Sequence, residues 1–358
     1  MATTANNASV PAVHRMSPLV RTPVVSLVST LIILANVVNL VVLPATRLPR
    51  VTRVLMLSMS AADLMVGLTA CMPCVYPAAT HFWPYGDIWC QIAGVLHGTS
   101  VTISIWSIAS ISLERCVAVC FPLTYRAKAS LTGAYIVAAC LWAAAILTFL
   151  APILSKPDFI YYRYDDEEVM CGLHWEYPIF CVATGIYIPI LSGSIIIVSS
   201  VIISRKVKAS TVARASLTGN GSVKSFNSFD RKVVKVLGLT AAAYFLMWGP
   251  YVALVVTEAI VPRLLKRVPT EVTFFAIWVA NSNSCANVFI YSALNRSFRH
   301  LIVRKFWCRK KDRGLALSST DRQQSAISLT NEELDVKCCF DSQTEDFELK
   351  EPSINGHI

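Results

Sequence analysis

The sequence predicts an all-α membrane protein: a seven-transmembrane helix bundle followed by a short amphipathic eighth helix. Three observations carry this. Apolar segments recur near 22–46, 54–80, 88–121, 131–153, 176–204, 232–260 and 271–293, and each is about as long as the roughly 20 residues that cross a bilayer. Of 358 residues 54% are hydrophobic and 15% charged, against about 25% charged in an average soluble domain. The Lys and Arg residues also gather in alternate connections rather than evenly, as the positive-inside bias requires.

The elements follow in order. Residues 1–21 are polar and lack the apolar core of a signal peptide, so the first segment is expected to act as a signal anchor behind an extracellular tail. Asn7-Ala8-Ser9 in that tail is a glycosylation sequon. Arg47, Arg50 and Arg53 separate the first two segments, and Arg126 and Lys128 follow the third. Arg205, Lys206, Lys208, Arg214, Lys224, Arg231, Lys232 and Lys235 fill or flank the fifth connection, and Arg296, Arg299, Arg304 and Lys305 follow the seventh segment. This alternation places the N-terminus outside and the C-terminus in the cytoplasm. It also disfavours nucleic acid as the reason for the net charge of +10.

Residues 22–293 therefore form the membrane domain. Ala209 to Ser228 is rich in Ser, Thr, Gly and Asn and reads as a mobile loop. Within 294–308, Phe298, Leu301, Ile302 and Lys305 share one face and basic residues the other, the pattern of a helix lying on membrane lipid. Cys308 at its end is either a palmitoylation site or a free cytosolic thiol. Residues 309–358 are polar and read as a disordered cytoplasmic tail. The twelve cysteines are too scattered for a small disulfide scaffold or a zinc site.

Within the third segment, Ser104 to Tyr125 reads SIWSIASISLERCVAVCFPLTY. An acid-base pair, Glu114-Arg115, ending such an apolar run is costly unless it sits at the interface with partners. Alone, it is equally an arginine snorkelling to lipid headgroups. Each other segment carries its own marker: Asn36 in the first, Asp63 in the second, Trp83-Pro84-Tyr85-Gly86 and Cys90 before the third, Trp142 and Pro152 in the fourth, Pro189 in the fifth. The sixth has Met247-Trp248-Gly249-Pro250, and the seventh has Asn283-Ser284 and Asn287-Val288-Phe289-Ile290-Tyr291. In this order and at these spacings, they are similar to the motifs of rhodopsin-like (class A) G-protein-coupled receptors, over roughly residues 22–307. The stretch from Trp278 to Tyr291 looks like the seventh helix of a small group of amine-receptor-like orphans with high basal coupling to the stimulatory G protein. Several positions depart from the family pattern: Val288 replaces a proline, Ile197 a tyrosine, Tyr244 a phenylalanine, and Glu114 and Cys116 flank Arg115 in place of Asp and Tyr.

The resemblance implies several sites. Glu114, Arg115, Asp230, Trp248, Asn287 and Tyr291 would form the switch and G-protein coupling set, with Asp230 at the position that clasps the arginine or simply capping its helix. Asp63, with Ser104, Asn283, Ser284 and Asn287, would hold a sodium ion as allosteric modulator, oxygen ligands suiting a hard cation; the alternative is a protonated Asp63 in a polar network. No other cofactor is expected. Cys90 and Cys171 are the cysteines expected in outer segments, where oxidising conditions favour a bridge. The ligand pocket would draw on His97, Ser100, Val101, Trp248, Tyr251, Val252, Val255, Ile277, Trp278 and Asn281, with Cys181 and Gly185. Where amine receptors have an ion-pairing Asp this chain has His97, which either contacts ligand or is hydrogen-bonded to helical neighbours. Asn281 stands where opsins carry the retinal lysine, which excludes a Schiff base. The loop from Tyr161 to Trp175, with its acids from Asp165 to Glu168, is a solvated rim, a lid or an attractor of cationic ligands.

The implied function is a plasma-membrane receptor that passes an extracellular signal, or high basal activity, to a heterotrimeric G protein. Receptor kinases and arrestin are the further partners expected, and the extracellular ligand is not encoded. A non-signalling or decoy receptor is the main rival. A transporter is disfavoured by the absence of an internal repeat or broken helices, and an enzyme by the lack of paired deep acids or a His-Glu-x-x-His motif.

Overall fold

The computed structural model describes residues 16–46, 48–155, 161–173, 180, 183–218, 224–261, 268–294 and 296–308. Asn7, Cys181 and the tail beyond Cys308 lie outside them, as do the side chains of Asp230 and Cys308. Two compact units divide after Ile302.

The first unit is a helix bundle. Helix α1 spans Pro18–Val42, opened by Ser17, whose Oγ accepts from Leu19 N. It begins ahead of the expected Thr22, so Arg21 belongs to the bundle and not to the tail. Helix α2 spans Arg50–Met65 and loosens into a π-helical turn, Val66–Cys71, and a 3-10 turn, Met72–Cys74. Pro73 explains the change, because it has no N–H to return to the turn before it. Helix α3, Val75–Thr80, ends at His81 in the left-handed conformation, φ 56°. Helix α4, Gly86–Cys120, contains 35 residues. Helix α5, Pro122–Lys128, starts on a proline, which needs no hydrogen-bond partner at that position. Helix α6 spans Leu131–Ser155.

The connection after α6 is an antiparallel hairpin, β1 Tyr162–Asp165 and β2 Met170–Leu173, with Tyr164 opposite Cys171. A π-helical turn, Ala183–Tyr187, precedes helix α7, Ile188–Thr218; Pro189 again removes the N–H that would close an ordinary turn. Helix α8 spans Lys224–Ile260, α9 Thr270–Leu294 and α10 Arg296–Val303. The expected loop at Ala209–Ser228 is a correction: α7 continues through Thr218 and α8 starts at Lys224. Ser and Thr are tolerated in a helix carrying Ala209, Ala213 and Ala215, and the strong breakers are confined to Gly219 and Gly221.

Among the described residues six helices are long and apolar enough to cross a membrane. Helix α9 is less apolar because Asn281, Asn283, Ser284 and Asn287 interrupt it, and all four are buried within the bundle. Buried polar side chains stitch the helices together where no water is available. Asn36 Nδ2 donates to Ser284 O at 3.0 Å, Asn39 Nδ2 to Ser60 Oγ at 2.6 Å, and Trp142 Nε1 to Ser58 Oγ at 2.9 Å. Phe298 of α10 is buried in the same core, with Leu301 and Ile302 packed against it. In the second unit the described residues form the turn Arg304–Cys308, where Phe306 is exposed.

The hairpin docks on α4. The Cys90–Cys171 disulfide joins them, with Sγ atoms 2.04 Å apart. Gln91 Oε1 accepts from Tyr162 N at 3.2 Å, and Gln91 Nε2 donates to Tyr162 O. Two glycines make room: a Cβ on Gly94 would lie 2.2 Å from the Tyr162 ring, and one on Gly98 2.5 Å from the Phe149 ring. Gly94→Ala is therefore expected to cost about 1–3 kcal/mol by overpacking, read as a lower melting temperature of the purified protein. Gly238→Ala, where nothing lies within 4 Å, serves as the control and should melt no lower than the wild type.

Candidate functional site

Beneath the hairpin is a cavity of about 160 Å³. Six of the expected pocket positions line it: His97 and Val101 from α4, and Trp248, Tyr251, Val252 and Val255 from α8; Gly185 joins them. Ser100, Ile277, Trp278 and Asn281 do not line it; they are fully buried around it. The sequence reading missed Phe149, Tyr162, Glu168, Met170 and Tyr244, which also face the space. For Met170 a signal was present: it adjoins Cys171, which the disulfide draws against α4.

The hairpin fills much of the cavity itself. Drug-sized pockets run to about 300–1,000 Å³, and here Glu168 and Met170 occupy part of that space. Glu168 is 7% exposed. Its carboxylate accepts from Tyr251 Oη at 3.1 and 3.2 Å, and its carbonyl accepts from Trp278 Nε1 at 3.0 Å. Trp278 is thus a support for the hairpin rather than a wall residue. Asn281 links two elements: its Oδ1 lies 2.7 Å from His97 Nε2, which requires the ring proton there, and its Nδ2 donates to Met170 Sδ at 3.6 Å. His97 therefore both faces the cavity and bonds across to α9. Glu168 and Met170 of the loop cover the cavity, while Asp165 and Glu167 are exposed at its rim.

At the floor, Trp248 stacks with Tyr244 at a centroid separation of 6.2 Å. Asp63 of α2 is fully buried. Its Oδ2 accepts from Asn287 Nδ2 at 3.2 Å, and Ser104 and Ser284 face the same carboxylate. Among the described residues Asp63 Oδ1, Ser104 Oγ and Asn287 Oδ1 have no hydrogen-bond partner. Asn283 is buried too, but no hydrogen bond joins it to Asp63 among those residues. Buried oxygens left unpaired beside a carboxylate are the donor set that suits a hard cation.

At the far end of α4, Arg115 is buried against Glu114, its Nε donating to Glu114 Oε2 at 2.5 Å and its Nη2 to Glu114 Oε1. Thr52 of α2 accepts from the same guanidinium and donates to Glu114 Oε2 at 3.0 Å. Tyr125 of α5 donates its hydroxyl to Glu114 Oε1. Burial and that contact push the Tyr125 phenol up to about 12, so it stays a donor throughout the physiological range. Thr52 and Tyr125 were not expected; Tyr125 is eleven residues from Glu114, and only the turn into α5 brings it back. Tyr291 is buried in the core.

The sequence pattern of the family described as 7 transmembrane receptor (rhodopsin family) matches residues 35–291. The chain is 25% identical over 323 residues to the mouse alpha-1D adrenergic receptor, covering 77% of this chain and 56% of that protein. It is 27% identical over 294 residues to mouse neuropeptide FF receptor 2, covering 77% and 70%. It is 26% identical over 303 residues to human 5-hydroxytryptamine receptor 4, covering 77% of each. The chain spans about half the length of the adrenergic relatives it matches.

The Glu168 contacts yield a direct test of the lid. Tyr251→Phe removes the hydroxyl donor from a buried carboxylate, and a lost hydrogen bond to a charged group costs about 1.5–3 kcal/mol. A melting temperature several degrees lower is expected for the purified variant, whereas an unchanged one would place Glu168 in water rather than under the lid.

Proposed function

This chain belongs to the rhodopsin family of seven-transmembrane receptors, and from that premise we propose that it is a plasma-membrane receptor, N-terminus outside, that activates a heterotrimeric G protein. The observation that carries this reading is the buried Glu114–Arg115 pair at the end of α4, tied to Thr52 and Tyr125. An ion pair held by three elements is a switch part when one of the arginine's partners can be exchanged for another protein. Activation is then a population shift: the signal favours the state in which α8 moves and Arg115 is released. The signal enters at the cavity under the hairpin, either as an external ligand that displaces Glu168 and Met170 or through the seated hairpin itself as basal activity. The orphan-like α9 supports the second route and the stimulatory G protein. Receptor kinases and arrestin are the partners this reading adds on the same face.

Sodium fits the Asp63 site. Asp63, Ser104, Ser284 and Asn287 would hold it, and the ion, when bound, supplies the positive charge that no described residue brings to this carboxylate. Asp63 and Asn287 already join α2 to α9 through their hydrogen bond.

A second reading, a non-signalling receptor, is favoured by Ile197. This residue stands where the family has an arginine-facing tyrosine, and it is 60% exposed on the outer surface of α7. Guanine-nucleotide exchange by purified receptor and G protein separates the two readings: exchange above background supports signalling, and none with any G protein supports the second.

Two predictions follow from the switch and the ion site. Arg115→Ala removes nucleotide exchange, while Asp230→Asn, by loosening a clasp worth about 1–3 kcal/mol, raises the open-to-closed ratio by roughly 5- to 150-fold, measured as ligand-independent signalling per surface receptor. Lower surface expression with unchanged signalling per receptor would make Asp230 a helix cap only. For the ion site, sodium should raise the melting temperature of the wild type relative to potassium, and Asp63→Asn should abolish that difference; a sodium shift that survives in the variant places the ion elsewhere.

A further inference from the structure

Arg21 is the unexplained charge in this molecule. It sits in the first turns of α1 and is 1% exposed. Removing a guanidinium from water costs several kcal/mol unless partners replace the water. Its Nη2 donates to Asp166 Oδ1 at 2.8 Å, and its Nη1 meets the His81 ring. His81 Nδ1 lies 2.9 Å from Asp166 Oδ2, and Tyr164 Oη donates to Asp166 Oδ1 at 3.3 Å. Burial acts to raise the Asp166 pKa, but the contacts with Arg21 and His81 outweigh it and hold the carboxyl below its usual range. The carboxylate is therefore ionised at neutral pH, and the pairing is lost only as pH falls through that lowered value.

Asp166 opens the turn of the hairpin, and three residues on, Val169 is fully buried with φ 56°. A β-branched residue in the left-handed region is strained, and such strain persists only where the surroundings over-determine the backbone. Two anchors flank it. Asp166 reaches outward to α1 and His81, while Glu168 reaches inward to Tyr251 and Trp278. On α4 the disulfide holds β2 at Cys171 and Gln91 holds β1 at Tyr162, an edge about which the turn end of the hairpin can lift.

We propose that Arg21 is a positioning residue: with His81 it latches Asp166, and so seats Glu168 and Met170 in the cavity. The latch sets access to the cavity, a consequence that rests on the cavity being the receptor's ligand site. Without the latch the Val169 strain is opposed from one side, and the turn of the hairpin lifts about the edge held on α4.

The test uses the full-length protein in lipid nanodiscs. Arg21→Gln should speed amide hydrogen exchange at residues 162–173 by at least tenfold and leave α4 and α9 as in the wild type. Asp166→Asn, on the partly exposed loop, should give the same loosening, and the double variant should add little to either. A cysteine introduced by Val252→Cys on the cavity wall should react at least tenfold faster with a membrane-impermeant methanethiosulfonate reagent when Arg21→Gln is also present. Should Arg21→Gln fail to fold, Asp166→Asn decides. Hairpin exchange and Val252→Cys reactivity unchanged by the loss of either latch residue would overturn the proposal and leave the α4 contacts, Glu168 and Met170 as the seat. No G protein enters these measurements, so absent nucleotide exchange would overturn the receptor reading without touching the latch.

Discussion

A buried cation needs its counter-charge inside the protein, and two arginines impose that constraint at the two ends of the bundle. Arg115 draws Glu114, Thr52 and Tyr125 together, which binds α2, α4 and α5. Arg21 draws Asp166 and His81, which binds α1, the end of α3 and the hairpin. Helix packing in lipid gains little from hydrophobic burial, because lipid tails are as apolar as the side chains. Polar and ionic contacts therefore decide which faces meet. Between the two ends Asp63 is the reverse case: a buried carboxyl group with hydrogen bonds but no cation among the described residues.

The hairpin end shows how one seat creates a site. The disulfide, Gln91 and the gap at Gly94 lay β1 and β2 on α4. The turn then crosses the bundle, and its Glu168 meets α8 and α9. What remains is a cavity of about 160 Å³. Its acidic group comes from the loop, whereas α4 contributes a histidine already bonded to Asn281. Anything entering this cavity would meet the protein's own Glu168 and Met170.

The interior is also where the helices depart from regularity. Val66–Cys71 and Ala183–Tyr187 widen just before Pro73 and Pro189, and Pro250 lies inside α8 between Trp248 and Tyr251. Each proline leaves a carbonyl without its usual donor. Pro189 lines the cavity, and Pro250 lies within α8, the helix proposed to move.

Length and apolarity determined the spans, because crossing a bilayer is a local requirement that any stretch of about 20 residues meets or fails by itself. The same holds for the Cys90–Cys171 pairing, set by compartment, and for Glu114 beside Arg115, which are chain neighbours. Six pocket residues, His97, Val101, Trp248, Tyr251, Val252 and Val255, were also legible, because fixed helix registers carry them. Ser100, Ile277, Trp278 and Asn281 were expected in the wall as well but are buried outside it, with Trp278 and Asn281 bonded to the hairpin. Arg21 with Asp166 spans 145 residues, Trp278 with Glu168 spans 110 and His97 with Asn281 spans 184. No local pattern encodes such pairs. They depend on how each helix is rotated and where a strained turn is held, and only the folded bundle decides that.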